Sequence, residues 1–213
     1  MPHASCPTPS APCSLPHPPC SLPHALCPLT GILLAGGKSS RMGQEKGLVE
    51  FKGKPLIQYG IDLLSEFTDT ILIGSSNPEY LAFGMEMVPD EIVGKGPVAG
   101  LAALLKRSNT PWNLVLACDL PFLQPELVVA LLEAAGTNQA VIPVSQGMAE
   151  PLAGLYHSDL AEYFQLEIAK GNLALHKILQ SCQVCYLETD GLLLKYPHLF
   201  VNFNALDELN SFL

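Results

Sequence analysis

Short runs of leucine and β-branched residues alternate with longer amphipathic stretches from residue 29 onward. The short runs predict buried strands and are ILLA (32–35), TILIG (70–74), NLVLA (113–117) and AVIPV (140–144). The longer stretches predict helices, because their apolar residues recur every three or four positions; they are PLIQYGIDLLSEF (55–67), PVAGLAALLKR (97–107) and PELVVALLEAAG (125–136). This alternation predicts a mainly parallel sheet covered by helices on both faces.

The first candidate site is the stretch LLAGGKSSRMGQEKG at 33–47, directly after a predicted strand. In a sheet of this kind, ligands bind outside the carboxyl ends of the strands, near the point where the strand order reverses. Gly36 and Gly37 allow the backbone N–H groups to approach a phosphate closely. Neither a P-loop nor a G-x-G-x-x-G pattern is present. The cations that would donate to the same anion are Lys38, Arg41 and Lys46.

Two further motifs place a carboxylate just after a predicted strand. In VPDEIVGKGPVAG (88–100), Asp90 could accept hydrogen bonds from a ribose or a base edge, or could simply cap a glycine-rich turn. In LVLACDLPFLQPE (114–126), Asp119 follows a buried run, where a lone carboxylate suits Mg²⁺ because this ion shares its shell with phosphates and water. Capping of a helix is the competing interpretation of Asp119.

Two weaker motifs lie in the second half of the chain. AEPLAGLY (149–156) places Glu150 before Pro151 at the start of a predicted strand. VNFNALDEL (201–209) places Asn202 and Asn204 on one face of an extended segment, where amide groups could donate to and accept from a polar second substrate. Each motif alone is more typical of a turn than of a binding site.

Charge narrows the class of partner. The chain has 11 Lys and Arg against 20 Asp and Glu, a formal net charge of −9. This balance argues against nucleic acid and anionic membranes as partners, because both require a basic face. Five of the 11 cations nevertheless fall between residues 38 and 54, which favours a small anionic ligand bound locally. No apolar run reaches the roughly 18 residues of a membrane helix.

Residues 1–28 differ from the rest in being rich in Pro, Cys, Ser and His, without Lys, Arg or an acid. Cysteines recur there every seven residues, so the segment could be a metal-binding tail or a disordered extension. The density of prolines forbids a helix and favours the disordered extension. The segment lacks the pattern of a signal peptide, so we expect no export and reduced thiols at Cys118, Cys182 and Cys185. The short run QVCYL (183–187) around the last thiol also predicts a strand.

Taken in order, LAGGKSSRMGQEKGLVEFKGKPL, PDEIVGKGPVAG, CDLPFL, EPLAGLY and VNFNALDEL resemble the molybdenum cofactor guanylyltransferases, the MobA family, over residues 31–213. The resemblance implies one nucleotidyltransferase domain over residues 29–213. Its fold would be a three-layer α/β/α arrangement with a Rossmann-like sheet of the nucleotide-diphospho-sugar transferase type. It also implies transfer of GMP from GTP to molybdenum-bound molybdopterin with release of pyrophosphate, a cytoplasmic location, and transient contact with molybdenum-insertion proteins or molybdoenzymes.

The same resemblance assigns residues to roles. It implies that Lys46 binds the nucleotide and that Asp119 binds Mg²⁺. From their charges, we expect Asp119 with its Mg²⁺ and the loop cations Lys46 and Arg41 to carry catalysis. The resemblance implies that Asn202 and Asn204 face the molybdopterin. The implied nucleotide-binding positions are Leu34, Ala35, Gly36, Gly37, Lys46 and Asp90.

Alternatives to this function remain on the sequence alone. A related nucleotidyltransferase could use CTP, or could use another phosphorylated acceptor. Those relatives tend to show L-A-A-G where this chain has L-A-G-G at 34–37, which favours guanine. A non-catalytic nucleotide-binding protein is the third hypothesis, against which Lys46 and Asp119 are both present.

Overall fold

A mixed sheet of eight strands organises the residues that the computed structural model describes, which are 28–35, 45–89 and 96–203. Two further strands, β2 Glu50–Phe51 and β3 Lys54–Pro55, form a separate hairpin. The eight strands of the sheet are β1 Leu29–Leu34, β4 Thr70–Gly74, β5 Glu86–Val88, β6 Trp112–Ala117, β7 Ala140–Ser145, β8 Met148–Ala149, β9 Ala153–His157 and β10 Val184–Glu188. The helices are α1 Leu56–Ser65, α2 Pro97–Arg107, α3 Pro125–Glu133, α4 Leu160–Ala169, α5 Leu175–Leu179 and α6 Asp190–Lys195, with short 3₁₀ helices at Lys46–Leu48 and Pro78–Phe83.

The strand order is β10-β7-β9-β6-β1-β4-β5, with β8 attached to β7. The pairs β1–β4, β1–β6, β4–β5 and β7–β10 are parallel, whereas β9 runs antiparallel to both of its neighbours. The prediction of a mainly parallel sheet is therefore confirmed. Each of the apolar runs predicted to be a strand forms one, and the three predicted helices form with ends shifted by up to three residues.

Alternating side chains of the central strands build a core on each face of the sheet. Leu33, Ile73 and Leu116 point to the face covered by α1 and α3. Their neighbours in the chain, such as Ile32 and Val115, point to the face covered by α2 and α4. The predicted three-layer α/β/α arrangement is confirmed, because both faces of the strands are buried by helices.

Strand β1 lies in the middle of the sheet and marks the reversal of strand order. The chain passes from β1 to β4 and β5 on one side, and then crosses to β6 on the other side of β1. The carboxyl ends of β1 and β6 are adjacent at this reversal, which is the position where open α/β sheets bind ligands. Among the described residues, no helix is long and apolar enough to cross a bilayer.

Candidate active site

An ion pair joins the glycine-rich motif to the carboxylate motif at the carboxyl edge of the sheet. The Nζ atom of Lys46 lies 3.2 Å from Oδ2 of Asp119, although the two residues are 73 positions apart. Lys46 begins the 3₁₀ helix after the glycine-rich loop, and Asp119 follows the end of β6 by two residues. Their side chains are 25% and 16% exposed, so the pair is shielded yet accessible to a ligand.

The backbone around Lys46 is held by close packing at Gly47. An added Cβ atom at Gly47 would lie 2.8 Å from the Tyr80 hydroxyl oxygen and 3.3 Å from the Cys118 sulfur. The Tyr80 hydroxyl, itself buried, donates a hydrogen bond to the Ala35 carbonyl at 3.3 Å. The absence of a side chain at Gly47 therefore lets the lysine segment lie against the ends of the central strands.

The buried groups beside this segment stay neutral. Burial raises the pKa of Tyr80 far above its usual value, and the neighbouring Cys118 and Glu45 add to the effect. Burial, followed by the charge of Asp119, raises the pKa of Cys118 to about 12. Because Cys118 is a neutral thiol enclosed in the core, it is unsuited to act as a nucleophile.

Backbone hydrogen bonds fix the points where both loops leave the sheet. The Cys118 N–H donates to the Leu34 carbonyl at 3.1 Å, and the Ala35 N–H donates to the Gly74 carbonyl at 3.1 Å. Leu34 and Ala35 thus anchor the start of the glycine-rich loop beside the Asp119 loop. Their contact with a nucleotide stays a prediction.

A cluster of three aromatic rings, formed by Phe51, Phe122 and Phe203, underlies the site. The ring centroids lie 5.1 Å apart for Phe51–Phe203, 5.6 Å for Phe51–Phe122 and 5.7 Å for Phe122–Phe203. The Phe203 N–H also donates to the backbone carbonyl of Asp119 at 3.1 Å. Asn202, directly before Phe203, is therefore brought to the same edge of the sheet as Lys46 and Asp119.

A further carboxylate, Glu150, lies near Asp119. Its side chain is half-buried, and burial together with the negative charge of Asp119 raises its pKa. Glu45, adjacent to Lys46, likewise has a raised pKa, because of burial and the neighbouring charge of Glu79. The sheet edge thus carries several acidic groups around a lysine.

The remaining predicted positions lie outside the described residues: Gly36, Gly37, Lys38, Arg41, Asp90 and Asn204. The flanks of the Asp90 loop are described. The carbonyl of Val88, at the end of β5, accepts a hydrogen bond from the Ser75 N–H at 3.2 Å. Gly96, with a φ of 71° that suits glycine, leads directly into α2.

The oxygens at this edge suit a hard divalent cation. Mg²⁺ prefers one or two carboxylates and completes its shell with phosphates and water. Asp119 meets this requirement, since its carboxylate is partly exposed and already contacts a cationic group. Within the described ranges, no three His, Cys, Asp or Glu side chains converge on one point.

Sequence patterns alone did not identify Tyr80, Gly47 or the aromatic cluster as parts of this site. Tyr80 and Gly47 meet through a contact between segments that are distant in sequence. A signal for the cluster was present, because Phe122 lies in CDLPFL and Phe203 in VNFNALDEL, so phenylalanines accompany the polar residues of both motifs.

Comparisons with a family model and with known proteins identify the same family. Residues 31–184 match the family model described as the MobA-like NTP transferase domain. A protein of Flavobacterium johnsoniae named "Probable molybdenum cofactor guanylyltransferase" is 35% identical over 187 residues, covering 86% of this chain and 95% of the relative. The range matched by the family model includes Lys46 and Asp119.

Two solved structures share the fold. The molybdopterin-guanine dinucleotide biosynthesis protein A of Archaeoglobus fulgidus superposes with a TM-score of 0.71 at 26% identity, over 85% of this chain and 95% of that one. The 2-C-methyl-D-erythritol 4-phosphate cytidylyltransferase of Thermus thermophilus gives a TM-score of 0.63 at 18% identity, over 84% and 95%. The predicted nucleotide-diphospho-sugar transferase type of fold is thereby confirmed.

Proposed function

Since this chain belongs to the MobA-like NTP transferase family and is a nucleotidyltransferase, we propose that it transfers GMP from GTP to molybdenum-bound molybdopterin. The products are the molybdopterin guanine dinucleotide cofactor and pyrophosphate. Relatives that match most of this chain carry the name of this activity. The observation that carries the proposal is the 3.2 Å contact between Lys46 and Asp119 at the point where the strand order reverses.

The reaction requires displacement at the α-phosphorus of GTP. An oxygen of the terminal phosphate of molybdopterin forms a bond to that phosphorus, the bond to the bridging α–β oxygen breaks, and pyrophosphate leaves with the electron pair. The attacking oxygen is already anionic at neutral pH, so no protein side chain has to remove a proton. Catalysis then rests on holding two anions in line and on neutralising their charge.

The residues of this chain supply those two effects. Lys46 neutralises phosphate charge through its ammonium group. Asp119 would hold Mg²⁺, which supplies Lewis-acid stabilisation of the phosphates when bound. Asn202, carried to this edge by the hydrogen bond of Phe203 to Asp119, would donate to the polar acceptor. The partial burial of Lys46 and Asp119 strengthens their electrostatic effect, because fewer water molecules screen them.

Choice of guanine rests on the L-A-G-G sequence at 34–37. A glycine at position 36 would leave room for the base where related cytidylyltransferases tend to carry alanine. The proposal includes a cytoplasmic location, since GTP is available there, and brief contact with the proteins that receive the product.

The test is a competition between nucleotides. Purified protein is incubated with Mg²⁺, equal concentrations of GTP and CTP, and molybdenum-loaded molybdopterin, and the dinucleotide is identified by mass spectrometry. We expect the guanine dinucleotide to form in large excess. A cytosine product would overturn the assignment of the base, and a lack of either product with active acceptor would overturn the assignment of the acceptor.

A further inference from the structure

One buried hydroxyl group, that of Tyr80, lies between the end of β1 and the segment that carries Lys46. Tyr80 is fully buried, and its hydroxyl donates to the Ala35 carbonyl at 3.3 Å. The Gly47 backbone approaches the same oxygen so closely that a Cβ atom there would lie 2.8 Å from it. A single oxygen atom therefore contacts the residue that follows β1 and the residue that follows Lys46.

The Gly47 backbone N–H also acts on this hydroxyl. Burial raises the pKa of Tyr80 far above its usual value, whereas the Gly47 N–H has the opposite effect, as expected of a group that donates to the oxygen. A hydroxyl group can accept from one partner while it donates to another. The Tyr80 hydroxyl is thus suited to link the Gly47 backbone to the Ala35 carbonyl.

The packing around Gly47 extends to the carboxylate of the ion pair. The Cβ atom added at Gly47 would lie 3.3 Å from the sulfur of Cys118, which directly precedes Asp119. The Cys118 backbone is itself fixed, because its N–H donates to the Leu34 carbonyl at 3.1 Å. Both partners of the contact between Lys46 and Asp119 are therefore held through a neighbour in the chain.

Tyr80 is supplied by a well-held element outside the predicted motifs, the 3₁₀ helix Pro78–Phe83 between β4 and β5. Asn77 caps this helix, since its side-chain oxygen accepts from the Glu79 N–H at 3.0 Å. The rings of Tyr80 and Phe83 also pack together, with centroids 6.3 Å apart. The hydroxyl thus has a defined position in the protein without a ligand.

We propose that Tyr80 is a positioning residue for the reaction, whose hydroxyl sets where the Lys46 ammonium group stands relative to Asp119 and the phosphates. The inference rests on the proposed function to the extent that Lys46 serves the phosphates. Tyr80 acts through Lys46, because it is fully buried and does not itself meet the substrate. A shift of about 1 Å in a catalytic group can cost about 10²-fold in rate, so a fixed backbone beside Lys46 matters for catalysis.

The first test removes one oxygen atom and keeps the ring, in Tyr80→Phe. Thr68→Val is the matched control, because it removes a hydroxyl that donates to the Leu64 carbonyl at 3.1 Å. Thr68 directly precedes β4 by two residues and so lies at the amino-terminal edge of the sheet, opposite the site. We expect kcat/KM for GTP to fall about tenfold in Tyr80→Phe and by less than about twofold in Thr68→Val. Circular dichroism and the melting temperature verify that both variants are folded at the assay temperature.

A double-mutant cycle tests whether Tyr80 acts through Lys46. When Tyr80→Phe is introduced into Lys46→Met, kcat/KM should fall by less than about twofold further, because no ammonium group remains to be misplaced. An equal loss in both backgrounds would overturn the proposal, since Tyr80 would then act independently of Lys46. Wild-type kcat/KM in the folded Tyr80→Phe single variant would overturn it as well.

A measurement without substrates separates this inference from the proposed function. Lysine amines are labelled by reductive methylation with ¹³C-formaldehyde, and the Lys46 signal in the NMR spectrum is identified by its loss in Lys46→Met. We expect that signal to shift in Tyr80→Phe and to stay in place in Thr68→Val. A shifted signal together with a cytosine product, or with none, would retain the role of Tyr80 and overturn the proposed reaction. A guanine product together with an unshifted Lys46 signal would retain the reaction and overturn the role of Tyr80.

Discussion

The Lys46 ammonium group contacts the Oδ2 atom of Asp119, an atom that a bound cation would also contact. The two positive groups would therefore compete for one carboxylate oxygen. We expect that a cation bound at that oxygen would displace the Lys46 ammonium group beside the position proposed for the phosphates. Cation binding and nucleotide binding are thus predicted to be coupled through this one atom.

This competition predicts opposite effects of one substitution. In Lys46→Met, the nucleotide-free protein should bind Mn²⁺, a spectroscopic substitute for Mg²⁺, more tightly, because Asp119 loses its ammonium partner. The kcat/KM of the same variant for GTP should fall by about 10²-fold or more, because a charge that stabilises the phosphates is removed. Mn²⁺ titration and steady-state kinetics measure the two effects.

Lys106→Met is the matched control, since Lys106 is exposed in the last turn of α2. It should leave both quantities near the wild-type values. If the two methionine variants lowered kcat/KM for GTP equally, Lys46 would have no special role at the phosphates.

At the level of elements, the aromatic cluster connects three segments that are far apart in sequence. Phe51 belongs to the β2–β3 hairpin, Phe122 to the loop between β6 and α3, and Phe203 to the segment after α6. Phe203 also hydrogen-bonds to the backbone of Asp119. The cluster therefore couples packing under the site to the position of the carboxylate.

Truncation of Phe203, which is fully buried, tests this coupling. Phe203→Ala should lower the free energy of unfolding by about 3–5 kcal/mol, because it leaves a cavity between two rings. Phe203→Leu fills more of that volume and should cost less. Urea unfolding of both variants measures the stability.

Activity measured where both Phe203 variants are fully folded gives the second readout. We expect kcat/KM for the acceptor to fall more in Phe203→Ala than in Phe203→Leu, since the segment carrying Asn202 loses its anchor. Wild-type kinetics in a destabilised but folded Phe203→Ala would limit the cluster to a structural role.

The sequence predicted the elements better than their arrangement. Apolar periodicity located β1, β4, β6 and β7, because these strands are buried on both faces and leave continuous apolar runs. The same property hides the direction of β9, since its AGLYH run, buried except at His157, looks alike in either orientation. The turn of residues 150–153 leads into β9 and brings Glu150 near Asp119, a proximity that its motif alone did not reveal.

The site was predicted in part for a similar reason. Motif order identified Lys46 and Asp119 as members of one site, and the structure brings them into contact. Contacts such as that of Gly47 with Tyr80 depend on packing between non-neighbouring segments, which no local pattern encodes.

At the scale of the whole molecule, the predicted leader and the folded domain should be separable. Strand β1 begins at Leu29, and the family match begins at residue 31. Deletion of residues 2–27 should leave the melting temperature and GTP use unchanged. Differential scanning calorimetry and the kinetic assay measure both.

Extending the deletion through residue 31 provides the contrast. It removes half of β1 together with Thr30, which is buried and accepts a hydrogen bond from the Thr110 hydroxyl at 2.8 Å. We expect this longer deletion to prevent cooperative unfolding. A large loss of stability on removing residues 2–27 alone would show that the leader belongs to the folded unit.

The position of β9 between β6 and β7 also sets an order for folding during translation. Strands β6 and β7 leave the ribosome first, yet they can join the same sheet only after β9 emerges and pairs with both. Until then the nascent chain presents the edge of β6, and unpaired edges are where chains associate wrongly. The late arrival of β9 therefore joins the two parts of the sheet, so a ribosome that pauses before β9 leaves the sheet divided between β6 and β7.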